Sequence, residues 1–117
     1  MSTLEVSNLN DGTKTVATTF VTNGSARAWT NSGSTAIRDS FGISSFTDNG
    51  TGDFSHALTN SFSSDNYAIG AAGFSSSAKF CTLDNAQTSS DIRVHLYTSS
   101  GSLNDTSSTF AAFGDLA

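Results

Sequence analysis

The sequence predicts an all-β protein, an antiparallel β-sandwich of jelly-roll or Greek-key type with about eight strands and little or no helix. Three observations lead there. The 117 residues include 22 Ser, 16 Thr and nine Phe, a composition that suits pleated, half-buried strands. Short runs with period-two apolar alternation recur between clusters of Asn, Asp, Gly and Ser, and no helical pattern separates them as a parallel sheet would require. Only 13% of residues are charged, too few to give a helix a charged outer face laced with i,i+4 pairs. Disorder is the competing reading of a Ser/Thr-rich chain, but disordered segments combine high charge with few aromatics, and here aromatics recur at regular intervals. The length fits one domain with one core.

In chain order, residues 1–24 carry two short alternations, Leu4/Val6 and Val16/Thr18/Phe20, around the turn Asn10-Asp11-Gly12. They form either a first hairpin or an arm that lies on something else. Residues 25–117 form the sandwich. A turn at Thr22-Asn23-Gly24 leads to Ala26-Arg27-Ala28-Trp29, where the alanines share one face and Arg27 and Trp29 the other. The run 36–46 is interrupted by Gly42, a mark of a bulge or close backbone approach, and fits one long strand or two short ones. Asp48-Asn49-Gly50 is the strongest hairpin signal in the chain and leads to Phe54, His56 and Leu58 on one face. The small residues of Tyr67 to Phe74 suit a strand packed against another backbone. Ile92, Val94 and Leu96 alternate with Arg93, His95 and Tyr97 in the clearest two-faced strand, and Thr109 to Phe113 closes the sandwich.

Charge narrows the partners. The net charge is −5 and the five basic residues are dispersed, so the chain lacks the clustered Lys and Arg that supply nucleic-acid affinity. No polybasic run, amphipathic helix or long apolar segment points to a membrane. The start Met1-Ser2-Thr3-Leu4-Glu5 lacks the basic end and apolar block of a secretory signal, so synthesis and folding in a cytoplasm are expected. Cys81 is the single cysteine, so no intrachain disulfide forms. The chain has no proline where average usage gives about six, which removes one guard of exposed sheet edges and hints at oligomerisation.

Few residues stand out as chemistry. No Gly-x-Ser-x-Gly elbow marks a nucleophile, and a Ser-His-Asp set drawn from so many serines carries no weight. Neither His56 nor His95 has a partner at metal-ligand spacing, and Asp48 to Asp53 lacks the alternating acidic ligands of an EF-hand; no metal, cofactor or catalytic residue is expected. Trp29, Tyr67 and Tyr97 are candidate glycan or receptor contacts if they share an exposed face. Phe54, His56 and Leu58 are candidate core or subunit-contact residues, and Cys81 a small buried hydrophobe.

The stretches Ala26-Arg27-Ala28-Trp29, Ile37-Arg38-Asp39-Ser40-Phe41, Thr47-Asp48-Asn49-Gly50-Thr51-Gly52-Asp53-Phe54 and Asp65-Asn66-Tyr67-Ala68 together carry a resemblance. They are similar to a module of bacteriophage tail-fibre and related virion proteins, of marine and cyanobacterial phage type. Ser99-Ser100-Gly101-Ser102-Leu103 and Phe113-Gly114-Asp115-Leu116-Ala117 look like the end of the same module, so the resemblance covers about residues 25–117. Departures include Gly42, where the module has Asn, and His56, where it has an apolar residue. The resemblance implies a non-enzymatic virion component made in the bacterial host cytoplasm, trimeric as phage fibre domains usually are. It is expected to be a small tail-fibre or tail-tip protein displaying a β domain for host attachment, with other virion proteins and a host surface glycan as partners. Capsid decoration or a head fibre is the alternative, and a free-standing carbohydrate-binding module the third. Residues 1–24, with Leu4, Val6 and Leu9, are then the candidate docking segment.

Overall fold

The computed structural model describes residues 2–75, 77, 79–84 and 87–117. In chain order they form β1 (Asn8–Asn10), β2 (Thr15–Ala17), α1 (Thr18–Gly24), β3 (Ala28–Ser32), β4 (Ile37–Phe41), β5 (Ile43–Gly50), β6 (Asp53–Leu58), β7 (Ala68–Phe74), β8 (Lys79–Leu83), β9 (Asp91–Thr98) and β10 (Ser107–Phe113). Strands β3 to β10 make two four-stranded sheets, ordered β4-β3-β10-β7 (sheet I) and β5-β6-β9-β8 (sheet II), with β1 and β2 a separate hairpin. Every pairing is antiparallel. The chain crosses between sheets after β4, β6, β7 and β9, and β10 returns beside β7 in the manner of a Greek key.

The two sheets contribute unequally to the core between them. Sheet II supplies bulk: Phe54 and Leu58 from β6, Ile92, Val94 and Leu96 from β9, with Ile43, Phe46 and Cys81 packed alongside. Sheet I supplies mostly small or hydroxylated side chains, Ala28, Thr30, Ser32, Ser108 and Ala112, with Phe110 as its one large buried residue. Large side chains of one sheet thus fill the space left by small ones of the other, and each fully buried Phe, Ile or Leu contributes about 1.5–3 kcal/mol.

Glycines place the corners. Gly42 has φ +71° and sits where the chain leaves sheet I for sheet II; a Cβ there would lie 2.5 Å from the Arg27 carbonyl oxygen. The run 36–46 is therefore two strands in different sheets. Gly52, at φ +67°, ends the β5–β6 hairpin: its amide donates to Asp105 Oδ1 (2.7 Å) and its carbonyl accepts from the Leu96 amide (2.8 Å). The hairpin tip is in this way tied to the β9–β10 connection, which fixes its register. In β7 the expectation of close backbone packing holds for one face: a Cβ on inward Gly73 would meet Leu96 and Lys79 at 3.3 Å, whereas one on outward Gly70 would meet nothing.

The N-terminal segment differs from its predicted course. The alternation Val16/Thr18/Phe20 predicts a strand through Phe20, but β2 stops at Ala17 and Thr18–Gly24 is helical. The last rungs of the hairpin are the Thr18 amide to Ser7 O (2.9 Å) and the Thr18 hydroxyl to the Val6 and Ser7 carbonyls (3.0 and 3.1 Å). Past them no neighbouring strand takes the backbone hydrogen bonds, so the chain satisfies them internally as a short helix. No residue of β1, β2 or α1 is buried. The principal extents of 51 × 28 × 25 Å and a radius of gyration of 16.6 Å, against about 13 Å for a compact domain of this length, show that this segment projects from the sandwich.

Candidate functional surfaces

The outward face of sheet I is apolar at its centre. Cross-strand register places Trp29, Ala111 and Gly70 in one row, and Asn31, Thr109 and Ala72 in the next. Because Gly70, Ala72 and Ala111 carry little or no side chain, they leave an open trough of about 490 Å³ walled by Trp29. Trp29 is 37% exposed and Phe41, its partner on β4, is exposed as well. At the end of β7, Phe74 lies under the Arg38 guanidinium, 5.7 Å from the ring centroid. The indole N–H and the Asn31 carboxamide make no hydrogen bond among the described residues. Asp39, opposite Asn31, accepts from the adjacent Ser40 amide (2.9 Å), and the Thr109 hydroxyl donates to Thr30 O (2.9 Å).

The outward face of sheet II is polar over β6 and β9, with exposed Phe80 beside Tyr97 toward its β8 edge. Arg93 clamps Asp53 through two parallel bonds, Nε to Oδ1 (2.7 Å) and Nη2 to Oδ2 (2.6 Å), while Asp84 approaches Nε at 3.4 Å. His95 Nε2 lies 3.4 Å from Asp53 and 3.9 Å from Asp84. The Arg93 hydrogen bond, helped by Asn49, holds the Asp53 carboxyl below the usual carboxylate range; Asp53 in turn raises the Arg93 guanidinium. Burial pushes the neighbouring Asp91 carboxyl up, opposed by Arg93. This arrangement stabilises the pairing of β6 with β9, where Ser55 faces Arg93 and Asp53 faces His95. Among the described residues no group of three or more His, Cys, Asp or Glu is arranged to hold a metal ion.

The three candidate aromatics do not come together. Trp29 faces out from sheet I and Tyr97 out from sheet II, where it makes an edge contact with His95 at 6.4 Å. Tyr67 is a wedge at the end of the sandwich. Its ring stacks on Phe62 at 4.0 Å, and its hydroxyl donates to the Thr88 and Asp91 carbonyls (2.8 and 3.3 Å). Burial, then Asp91 and Asp65, pushes the Tyr67 phenol up to about 12.

Phe54, His56 and Leu58 point into this chain's own core and present no surface for a second subunit. His56 is fully buried between Phe46 and Phe110, its ring edge-on to both at 5.2 and 5.0 Å. Nε2 shares a hydrogen bond with Ser32 Oγ (3.1 Å), which continues to Thr30 Oγ1 (3.0 Å), and Nδ1 faces Ile92 O at 3.4 Å. Burial lowers its pKa to about 4. This Ser–His pair has a backbone carbonyl where a triad needs a carboxylate, and it is sealed from solvent. Half-buried Cys81 has its thiol pushed up to about 11 by burial, as befits a packing residue rather than a nucleophile.

On the N-terminal segment, Leu9 and Val16 face each other across the hairpin and stand on one side of it. Leu4 and Phe20 are 84% and 73% exposed, and Val6 and Val21 are exposed with them. Sequence reasoning named Trp29, Leu4, Val6 and Leu9, but missed the trough floor and the Asp53–Arg93–Asp84–His95 group. The available signal was parity: Gly70/Ala72 and Thr109/Ala111 are small at alternate, outward positions, and Arg93 and His95 share a parity with Tyr97. Compared with protein-family models, curated proteins and solved structures, the chain matches none.

Proposed function

We propose that this chain is a bacteriophage virion protein, a small tail-fibre or tail-tip component whose sandwich is displayed for host attachment and whose N-terminal segment docks to the particle. The supporting observation is the division of the molecule into a sandwich with its own closed core and a segment none of whose described residues is buried and that exposes Leu4, Val6, Leu9, Val16, Phe20 and Val21. A two-stranded hairpin and a seven-residue helix are marginal in water by themselves, so such a segment takes its stability from what it binds. The resemblance of residues 25–117 to phage fibre modules supplies the particle, and with it a trimeric, non-enzymatic assembly.

The test is incorporation. A parent phage carrying the chain truncated to begin at Ser25 is expected to yield particles lacking this protein, although the shortened chain still folds. Full occupancy by the truncated chain overturns the docking role. Cryo-EM of the intact particle distinguishes a position on the tail from the alternative, a decoration or head-fibre position on the shell.

A further inference from the structure

We propose that the trough on the outward face of sheet I is a carbohydrate platform that takes internal units of a glycan chain, with Trp29 as its stacking residue. The inference rests on the attachment reading above for its biological setting and names the ligand class of that display surface.

The argument starts from shape. Gly70, Ala72 and Ala111 form a flat floor beside a wall made by Trp29, and β7 is an edge strand, so no wall closes the far side. The trough, about 490 Å³, is shallow and open, and its open side lets a chain lie across it rather than end there. Chemistry then selects the occupant. A pyranose has an apolar face of C–H groups that stacks on an aromatic ring and a rim of hydroxyls that both donate and accept. The surface matches both parts: among the described residues the Trp29 indole N–H and the Asn31 carboxamide have no partner, the Asp39 carboxylate has one backbone donor, and the Thr109 hydroxyl oxygen retains an acceptor site. An apolar peptide would bury those groups unpaired, and each buried unpaired polar group opposes binding. Sugar hydroxyls satisfy them.

Trp29 is the single tryptophan of the chain, so its intrinsic fluorescence reports on the trough alone. The full-length protein would be screened on an array of oligosaccharides cut from bacterial surface polysaccharides, and hits titrated by Trp29 fluorescence and calorimetry. Binding is expected for internal-repeat fragments. It should fall by roughly tenfold or more in Trp29→Ala and in Ala72→Leu, which fills the floor, and stay unchanged in Tyr97→Ala on the opposite sheet. Ala72→Leu keeps the test valid should Trp29→Ala fail to fold. The absence of any hit overturns the proposal, as does binding that survives both substitutions in folded protein. A concentration-dependent Trp29 signal without sugar also overturns it, because a second copy would then cover the face. Sugar binding by a protein located on the shell would defeat the attachment reading and leave the platform standing; a tail position without sugar binding does the reverse.

Discussion

His56 makes this sandwich acid-sensitive, and the size of the effect follows from where the ring sits. The imidazole is fully buried between Phe46 and Phe110, with Ser32, Ile92 O and uncharged neighbours around it, so its charged form has neither water nor an anion to stabilise it. Its pKa is lowered from 6.5 to about 4. A depressed folded pKa means that the fold favours the neutral ring: the stability is complete above pH 6.5 and is lost as pH falls through 4. The full difference amounts to roughly 3 kcal/mol, of which about 2 kcal/mol is already gone at pH 5. Asp53, held low by Arg93, remains ionised there and does not contribute to that loss. Urea unfolding at pH 7.5 and pH 5 should show the difference in wild type and not in His56→Leu, which carries no titrating group. Asp91 acts alike in both and cancels in the comparison. At pH 7.5 the substitution itself should cost about 1–2 kcal/mol, since Ser32 and Ile92 O lose their partner. Equal pH slopes for the two proteins, or an NMR titration that puts His56 near 6.5, would refute the reasoning.

Gly52→Ala should destabilise by at least about 3 kcal/mol, because it forces a side chain to positive φ and into the Leu96 and Asn104 backbone at 2.6 and 2.7 Å; a change in denaturation midpoint worth less than about 1 kcal/mol would show that the hairpin tip is not pinned as described. A double-mutant cycle over Asp53→Asn and Arg93→Gln should give a favourable coupling that shrinks in high salt, as suits a partly exposed bidentate pair, and a salt-independent value would contradict that placement. Cys81 should react with a disulfide reagent at pH 8 on the order of a hundredfold more slowly than a free cysteine peptide, since its raised pKa removes most of the thiolate; a rate like that of the peptide would put the thiol at the surface.

Much of the fold was legible because the patterns that specify strands are local. Alternation in Phe54/His56/Leu58 and Ile92/Val94/Leu96 already separates an inward face from an outward one, and Asn49-Gly50 places the turn between two runs. That logic assigned His56 to an apolar environment without identifying whose: the choice between core and subunit contact depends on what covers the face, and sheet I does. It also ran on too far in Val16/Thr18/Phe20, where the pattern persists but the partner strand does not.

The sequence by itself determined the all-β class, the two-faced strands and the principal hairpin, since each depends on neighbours a few residues away. Only the tertiary structure decided that Gly42 is a corner between sheets, that Trp29, Tyr67 and Tyr97 lie apart, and that Gly70, Ala72 and Ala111 form one floor beside the indole. It also decided that Asp53 meets Arg93 across 40 positions of chain. The physical reason is common to all of these. Which strand lies beside which is settled by the packing of both sheets around one core, a collective balance that no local pattern encodes.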